Sequence, residues 1–327
     1  MAGESLGLLG FDSYTFTVEN LERSRVFHRT QFDLREVARS SRELTERTGE
    51  AASVFVAGDV RVVVVAPVAQ ASAAARYLRR HPAGVSTVSL RVESVERARA
   101  LLVARGATLL GDDVDVRDDR DGLHRSFGVA TPLGDVVIRL VERSNLVAPD
   151  PGFEPVTQES IPTNQLGLQR VDHLALDVRT LRPALDWFRG VLGLEVMGED
   201  SFHTEQVTPG RTAGAGLHSV VVGDRASGVR FVINEPLAPF FESSQIARFV
   251  YDNHGPGVQH VAFLMGRLLP AVEEMRRRGT DFLPTPAAYY EALPARLEHL
   301  KITNLREQLA SLERLEILVD GRDDAYL

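Results

Sequence analysis

Two histidines are the residues of this chain with the clearest chemical potential. His173 and His260 stand 87 residues apart, each in a stretch that alternates apolar and polar residues. The chain has no cysteine, which leaves His, Asp and Glu as its strong metal ligands and excludes thiolate nucleophiles and Cys-ligated zinc or iron–sulfur sites. A lone strand histidine is more often structural. Two imidazoles with one carboxylate, however, suit a divalent first-row metal and leave open positions for an oxygenase.

The elements that would position these histidines are set out by an internal repeat. The aligned segments are 11–18 with 171–178, 53–67 with 219–236, and 84–87 with 257–260. Each half gives the pattern strand, helix, strands, and then the same pattern again. The sequence therefore predicts four βαβββ modules, two in each half, joined by a proline-containing linker at 144–170.

This arrangement of modules resembles the vicinal-oxygen-chelate superfamily, in which paired βαβββ units curl into an open barrel around one metal. The resemblance implies an α+β fold with two open β-barrel domains. Residues 1–143 would form a metal-free N-terminal domain, and 171–327 would form the catalytic, metal-binding C-terminal domain.

Comparison of the two halves shows which one is equipped for chemistry. Ser13 stands where the second half has His173, and Thr87 stands where it has His260. Only the second half keeps both imidazoles, so we expect the metal there. An α-keto acid could then chelate the metal while dioxygen takes the remaining position.

Uncharged polar residues also distinguish the second half. Asn234 replaces Val65 of the first half, whereas Ser219 aligns with Ser53, and Gln245 follows in the next helical stretch. Such side chains suit a substrate with a carboxylate and a phenol, because they both donate and accept hydrogen bonds. The alternative for Ser219 and Gln245 is a position on the surface or in a turn.

From about Val171 to its end, the chain resembles the family of 4-hydroxyphenylpyruvate dioxygenase and 4-hydroxymandelate synthase. The motifs that carry this resemblance are Val-Asp-His (171–173), Ile-Asn-Glu-Pro (233–236), Gly-Val-Gln-His (257–260), Phe-Leu-Pro-Thr-Pro (282–286) and Tyr-Tyr (289–290). The first half is similar to the metal-free domain of the family, more loosely.

The resemblance implies specific roles for these residues. His173 and His260 would hold Fe(II), and the substrate pocket would be lined by Ser219, Asn234 and Gln245. The substrate's own pyruvate arm would chelate iron and lose CO₂, and hydroxylation of the ring would give homogentisate, a step of tyrosine catabolism. Benzylic hydroxylation to 4-hydroxymandelate is the alternative.

The third iron ligand implied by the family is a carboxylate on a later strand. We expect it after Leu327, outside this chain, which would then be truncated or a variant with an incomplete iron site. The nearest late carboxylate, Glu316, lies one strand too early, and we expect it to face solvent.

Functions of other classes stay open at this point. A barrel that binds an aromatic molecule without turnover would explain why this chain lacks a third iron ligand. A glyoxalase-like isomerase would need a carboxylate base, and no motif indicates one. Lys and Arg number 37 against 45 acidic residues, a net charge of −8, which argues against nucleic acid as a partner.

The remaining expectations concern location and assembly. The longest apolar run, at 62–69, is too short for a transmembrane helix, and the first residues lack the pattern of a signal peptide. We therefore expect a cytoplasmic protein without a membrane partner, and the family resemblance implies a homodimer or homotetramer.

Overall fold

The computed structural model describes most of the chain. The described residues are 4–119, 122–147, 149–156, 164–203, 216–237, 244–305, 307, 309–322 and 325–326. Within these ranges the α+β architecture and three complete modules match the sequence prediction.

The first domain holds two modules in one nine-stranded sheet. The first module consists of β1 (Leu8–Thr17), α1 (Leu21–Thr30), β2 (Arg35–Ser40), α2 (Arg42–Thr48), β3 (Glu50–Ala57), β4 (Val60–Pro67) and α3 (Ala73–Leu78). The second consists of β5 (Gly84–Val92), α4 (Val95–Ala104), β6 (Leu109–Asp119), β7 (Gly122–Ala130) and β8 (Val137–Arg143). The two modules meet through their first strands, because β1 pairs antiparallel with β5.

Serine side chains cap three of the helices in this domain, and Ser41 does so for α2 by accepting a hydrogen bond from the backbone N–H of Leu44. Ser72 accepts a hydrogen bond from the backbone N–H of Ala75 at the start of α3, and Ser94 accepts one from Arg97 at the start of α4. Such caps satisfy N–H groups that have no partner within the helix. The predicted linker is more than a connection, since it contains β9 (Phe153–Pro155), which pairs with β2 at the edge of the first sheet.

The second domain is built on a five-stranded sheet. Its elements are β10 (Leu168–Asp177), α5 (Leu181–Gly190), β11 (Glu195–His203), β12 (Gly216–Asp224), β13 (Val229–Pro236), α6 (Gln245–Asp252), β14 (Gly257–Met265) and α7 (Leu268–Arg277). The strand order is β11-β12-β13-β10-β14, with β10 parallel to β13 and antiparallel to β14. The pairing of β10 with β14 repeats that of β1 with β5.

The fourth module departs from the expected βαβββ order. After β14 and α7, the described residues form α8 (Ala287–His299), α9 (Leu309–Leu315) and a hairpin of β15 (Gly321–Arg322) and β16 (Ala325–Tyr326). Leu293, Leu297 and Leu312 pack these helices into a small core of their own. In the described part of the chain, the second sheet is therefore a half barrel. The repeat alone predicted that a fourth set of strands would follow β14 and α7.

The two domains share one continuous hydrophobic core. Phe11 of β1 contacts Phe231 of β13 edge-on, with ring centroids 5.7 Å apart. At the β3–β4 turn, the backbone N–H of Asp59 donates to the carbonyl of Gln169, at an N–O distance of 2.6 Å. In the described ranges, no helix is long and apolar enough to cross a bilayer.

Candidate metal centre and substrate pocket

The two predicted metal ligands lie side by side on paired strands. His260 of β14 is opposite Ala175 of β10, and His173 is opposite Ala262, so both histidines share one face of the sheet. Their ring centroids are 5.6 Å apart, with the rings nearly perpendicular. In the first domain Thr87 is opposite Thr15 in the same register, which confirms that it is the structural counterpart of His260.

Each imidazole is held through its Nδ1 by the residue that precedes it. Nδ1 of His173 is 2.9 Å from a carboxylate oxygen of Asp172, and Nδ1 of His260 contacts the amide oxygen of Gln259. Both partner atoms are acceptors, so each Nδ1 carries a proton, and in the neutral imidazole Nε2 then keeps its lone pair. This is the arrangement that metal-binding histidines commonly have.

The geometry and protonation of the pair fit a shared metal ion. Bonds of about 2.1 Å to two imidazoles place the ring centres roughly 4.5 to 5.5 Å apart, close to the observed separation. Partial desolvation of the ring and the neighbouring His173 lower the pKa of His260, which favours the neutral ring that a metal needs. Within the described residues, no group of three or more His, Asp and Glu side chains is arranged to hold a metal.

Asp172 links the first histidine to a cation on the neighbouring strand. Its second carboxylate oxygen accepts a hydrogen bond from Arg230 of β13, at 2.7 Å. The carboxylate is therefore fixed from both sides, which in turn fixes the ring of His173. Asp172 was not among the predicted site residues, because the first half has the matching Asp12 and comparison of the halves selects only differences.

Three polar side chains form a chain of hydrogen bonds further along the same face. The Ser219 hydroxyl donates to the Asn234 amide oxygen at 2.8 Å, and the Asn234 amide nitrogen donates to an Asp177 carboxylate oxygen at 3.0 Å. Ser219 and Asn234 pair in register on β12 and β13, so the structure brings two of the predicted pocket residues into contact.

Asp177 is a buried carboxyl that the sequence analysis missed. Asp177 is only 1% exposed. Burial raises the pKa of its carboxyl group to about 6, although the hydrogen bond from Asn234 acts to lower this pKa. Its counterpart by strand register is Thr17, which is also buried. The replacement of Thr17 by an acid was therefore visible in the repeat and would have identified this residue.

The strand register corrects the counterpart of Ser219. Ser219 pairs with Asn234, and the equivalent pair in the first domain is Ala52 with Val65. The aligned Ser53 is one residue further and fully buried, so its side chain points to the other face of its strand. Ser219 is therefore a polar residue specific to the second domain.

The other two candidate residues lie outside this hydrogen-bonded group. Gln245 is exposed at the first position of α6, next to the buried cap residue Ser244. Glu316 faces solvent only in part. Its carboxylate binds Arg276 of α7 at 2.6 Å and is half-buried, because the chain folds back onto α7 there.

Comparisons with known proteins agree with this geometry. Residues 172–293 match the model of the Glyoxalase/Bleomycin resistance protein/Dioxygenase superfamily. A 4-hydroxyphenylpyruvate dioxygenase of Dictyostelium discoideum is 28% identical over 328 residues, which cover 97% of this chain and 86% of that protein. One from Hordeum vulgare is 34% identical and covers 86% of this chain and 64% of that protein. Over almost its whole length, the chain is similar to proteins named 4-hydroxyphenylpyruvate dioxygenase.

A solved structure has the same fold as this chain. A mutant of 4-hydroxymandelate synthase from Streptomyces coelicolor superposes with a TM-score of 0.78 at 21% identity, covering 98% of this chain and 87% of that chain. The comparisons confirm the predicted family resemblance, the predicted fold class and the prediction of an enzyme of this dioxygenase type.

Proposed function

We propose that the protein is an Fe(II)-dependent dioxygenase that decarboxylates 4-hydroxyphenylpyruvate and hydroxylates its ring, forming homogentisate and CO₂ with O₂ as oxidant. The observation that carries this proposal is the pair of imidazoles with Nδ1 engaged and Nε2 free on one open face. The family resemblance supports the choice of metal and substrate.

Each residue of the site has a defined task in this proposal. His173 and His260 would hold Fe(II) through Nε2, and Asp172 and Gln259 hold the two rings in that tautomer. Bound Fe(II) supplies the centre at which the 2-oxo acid is decarboxylated and dioxygen is reduced. The family resemblance implies a carboxylate as the third ligand.

The polar chain would orient the aromatic substrate. Ser219 and Asp177 fix the amide of Asn234, which leaves one N–H and one lone pair of Asn234 for the substrate. Asn234 and Ser219 are thus proposed to bind the substrate, together with Gln245 at the start of α6. The cytoplasmic location and the homodimer or homotetramer stay predictions.

Metal binding tests the histidine pair directly. After anaerobic loading and desalting, we expect Fe(II) to remain with the wild-type protein and to be lost from His173→Ala and His260→Ala. His299→Ala, at an exposed position on α8, is the matched control and should keep the wild-type iron content. Equal iron in all four proteins would overturn the assignment.

Turnover tests the reaction. Addition of O₂ to the anaerobic complex with 4-hydroxyphenylpyruvate should release CO₂ and form homogentisate, measured by chromatography. Formation of 4-hydroxymandelate would instead identify benzylic hydroxylation. Iron binding without product would point to a ligand-binding protein and refute the proposed reaction.

A further inference from the structure

A charged cavity lies between the first domain and the first strands of the second domain. A cavity of about 520 Å³ opens at the start of β1, beside the β3–β4 turn and the turn between β12 and β13. Arg61, which lines it, has the same strand register as Arg230, the partner of Asp172 in the second domain. The first domain lacks counterparts of His173 and His260, but its polar face still carries charged residues.

The wall of this cavity contains a buried, nearly balanced ionic group. Arg143, with 4% of its side chain exposed, binds Asp12 at 2.9 Å and Asp150 at 2.7 Å. Arg61 binds Asp150 at 3.2 Å. The Nε of Arg61 is enclosed and has no hydrogen-bond partner among the described residues.

Three further arginines surround the cavity without matching carboxylates. Arg35, Arg91 and Arg170 line it together with a single additional acid, Asp59. Arg35 and Arg170 form no ion pair with any described residue, and Arg91 contacts only the carbonyl of Leu9, at 3.4 Å. The cavity thus has an excess of positive charge in a protein whose net charge is −8.

We propose that this cavity binds a small organic anion with at least two negative charges, a dicarboxylate or a phosphate monoester. Arginine suits both groups, because its planar fork donates two hydrogen bonds to a carboxylate or phosphate. Phe11, Val37 and Val171 add apolar wall against which a carbon skeleton packs. This site is separate from the histidine pair and requires no metal.

Binding of defined anions to the intact protein tests the proposal. Succinate and phenyl phosphate are titrated by calorimetry at about 50 mM ionic strength, where screening is weak. We expect saturable binding of at least one of them, and the stronger ligand distinguishes the dicarboxylate from the phosphate source. A dissociation constant of about 10 mM corresponds to a binding free energy of roughly −3 kcal/mol. If neither anion binds saturably below this value, the proposed site is wrong.

A double variant locates the binding. Arg35→Gln with Arg170→Gln removes two exposed positive charges, and we expect the dissociation constant to rise at least about tenfold. Arg182→Gln with Arg189→Gln removes the same charge from the exposed face of α5 and should change the constant less than about twofold. An equal loss in both double variants would show non-specific attraction and refute the site.

Discussion

Each candidate metal ligand depends on a neighbour for its tautomer. Asp172 has the stronger role, because its carboxylate joins the ring of His173 to Arg230. The neutral amide of Gln259 accepts the hydrogen bond from Nδ1 of His260. Asp172 and Gln259 therefore orient the two rings for metal binding without binding the metal themselves.

Replacement of Asp172 by Asn should weaken metal binding. The amide still accepts a hydrogen bond, but it lacks the charge that raises the basicity of His173, so we expect an affinity for Fe(II) about 10- to 100-fold lower. Anaerobic titration measures the change. Asp186→Asn, on the exposed face of α5, should leave the affinity unchanged, and an unaltered Asp172→Asn protein would contradict the role.

Asp177 should make stability depend on pH. Burial raises its pKa from 3.8 to about 6, so the folded protein holds a proton that the unfolded chain releases between these values. Stability therefore falls as pH rises from about 4 to 6 and stays lower above that range. Asp177→Asn keeps an acceptor for Asn234 without the charge, and we expect it to stabilise the protein by up to about 3 kcal/mol at pH 7.

Thermal unfolding at several pH values measures this effect. The gain of Asp177→Asn over wild type should be small at pH 4 and largest above pH 6. Asp186→Asn serves again as the exposed control and should show no such trend. A gain that is the same at pH 4 and pH 7 would rule out titration of Asp177 as its cause.

At the scale of elements, the C-terminal helices form a separate packing unit. Leu293 and Leu297 lie four residues apart on one face of α8, and they pack with Leu312 of α9 and Val272 of α7. This cluster attaches the last part of the described chain to the second sheet through α7.

Leu293→Ala should destabilise this unit strongly. The side chain is fully buried, and such truncations cost about 2 to 5 kcal/mol through lost burial and a residual cavity. Denaturation in urea measures the loss. Leu283→Ala, at a position that is 91% exposed, should cost less than about 0.5 kcal/mol, and similar losses in both variants would disprove the packing role.

At the scale of the whole molecule, the β3–β4 turn joins the two domains. Gly58 has a φ of +54°, and a Cβ atom there would lie 2.4 Å from the carbonyl oxygen of Leu168 in β10. Only glycine meets both requirements, the left-handed backbone and the close approach.

Gly58→Ala should therefore weaken the domain contact. Gly106→Ala is the matched control, since its φ is +80° and no atom lies within 4 Å of the added Cβ. Gly106→Ala measures the backbone strain alone. We expect Gly58→Ala to lower the free energy of unfolding by about 1 to 3 kcal/mol more than this control. Equal losses in calorimetric unfolding would show that the contact with Leu168 contributes nothing.

The sequence predicted most of the fold because the repeat is a local pattern copied along the chain. Alternating strands at 11–18 and 171–178 defined matching positions, and these positions identified His173, His260 and Asn234 as differences. The Ser219 counterpart was wrong by one residue, since a short apolar strand aligns almost equally well in either register.

What the sequence by itself determined is the modular order and the candidate ligands, because both depend on residue type and spacing. The tertiary structure alone decided the partners of each Nδ1, the bond from Asn234 to Asp177, the helical fourth module and the gathering of arginines at the first domain. Apart from the two Nδ1 contacts, which join adjacent residues, these features depend on strand pairing and domain packing rather than on any local pattern.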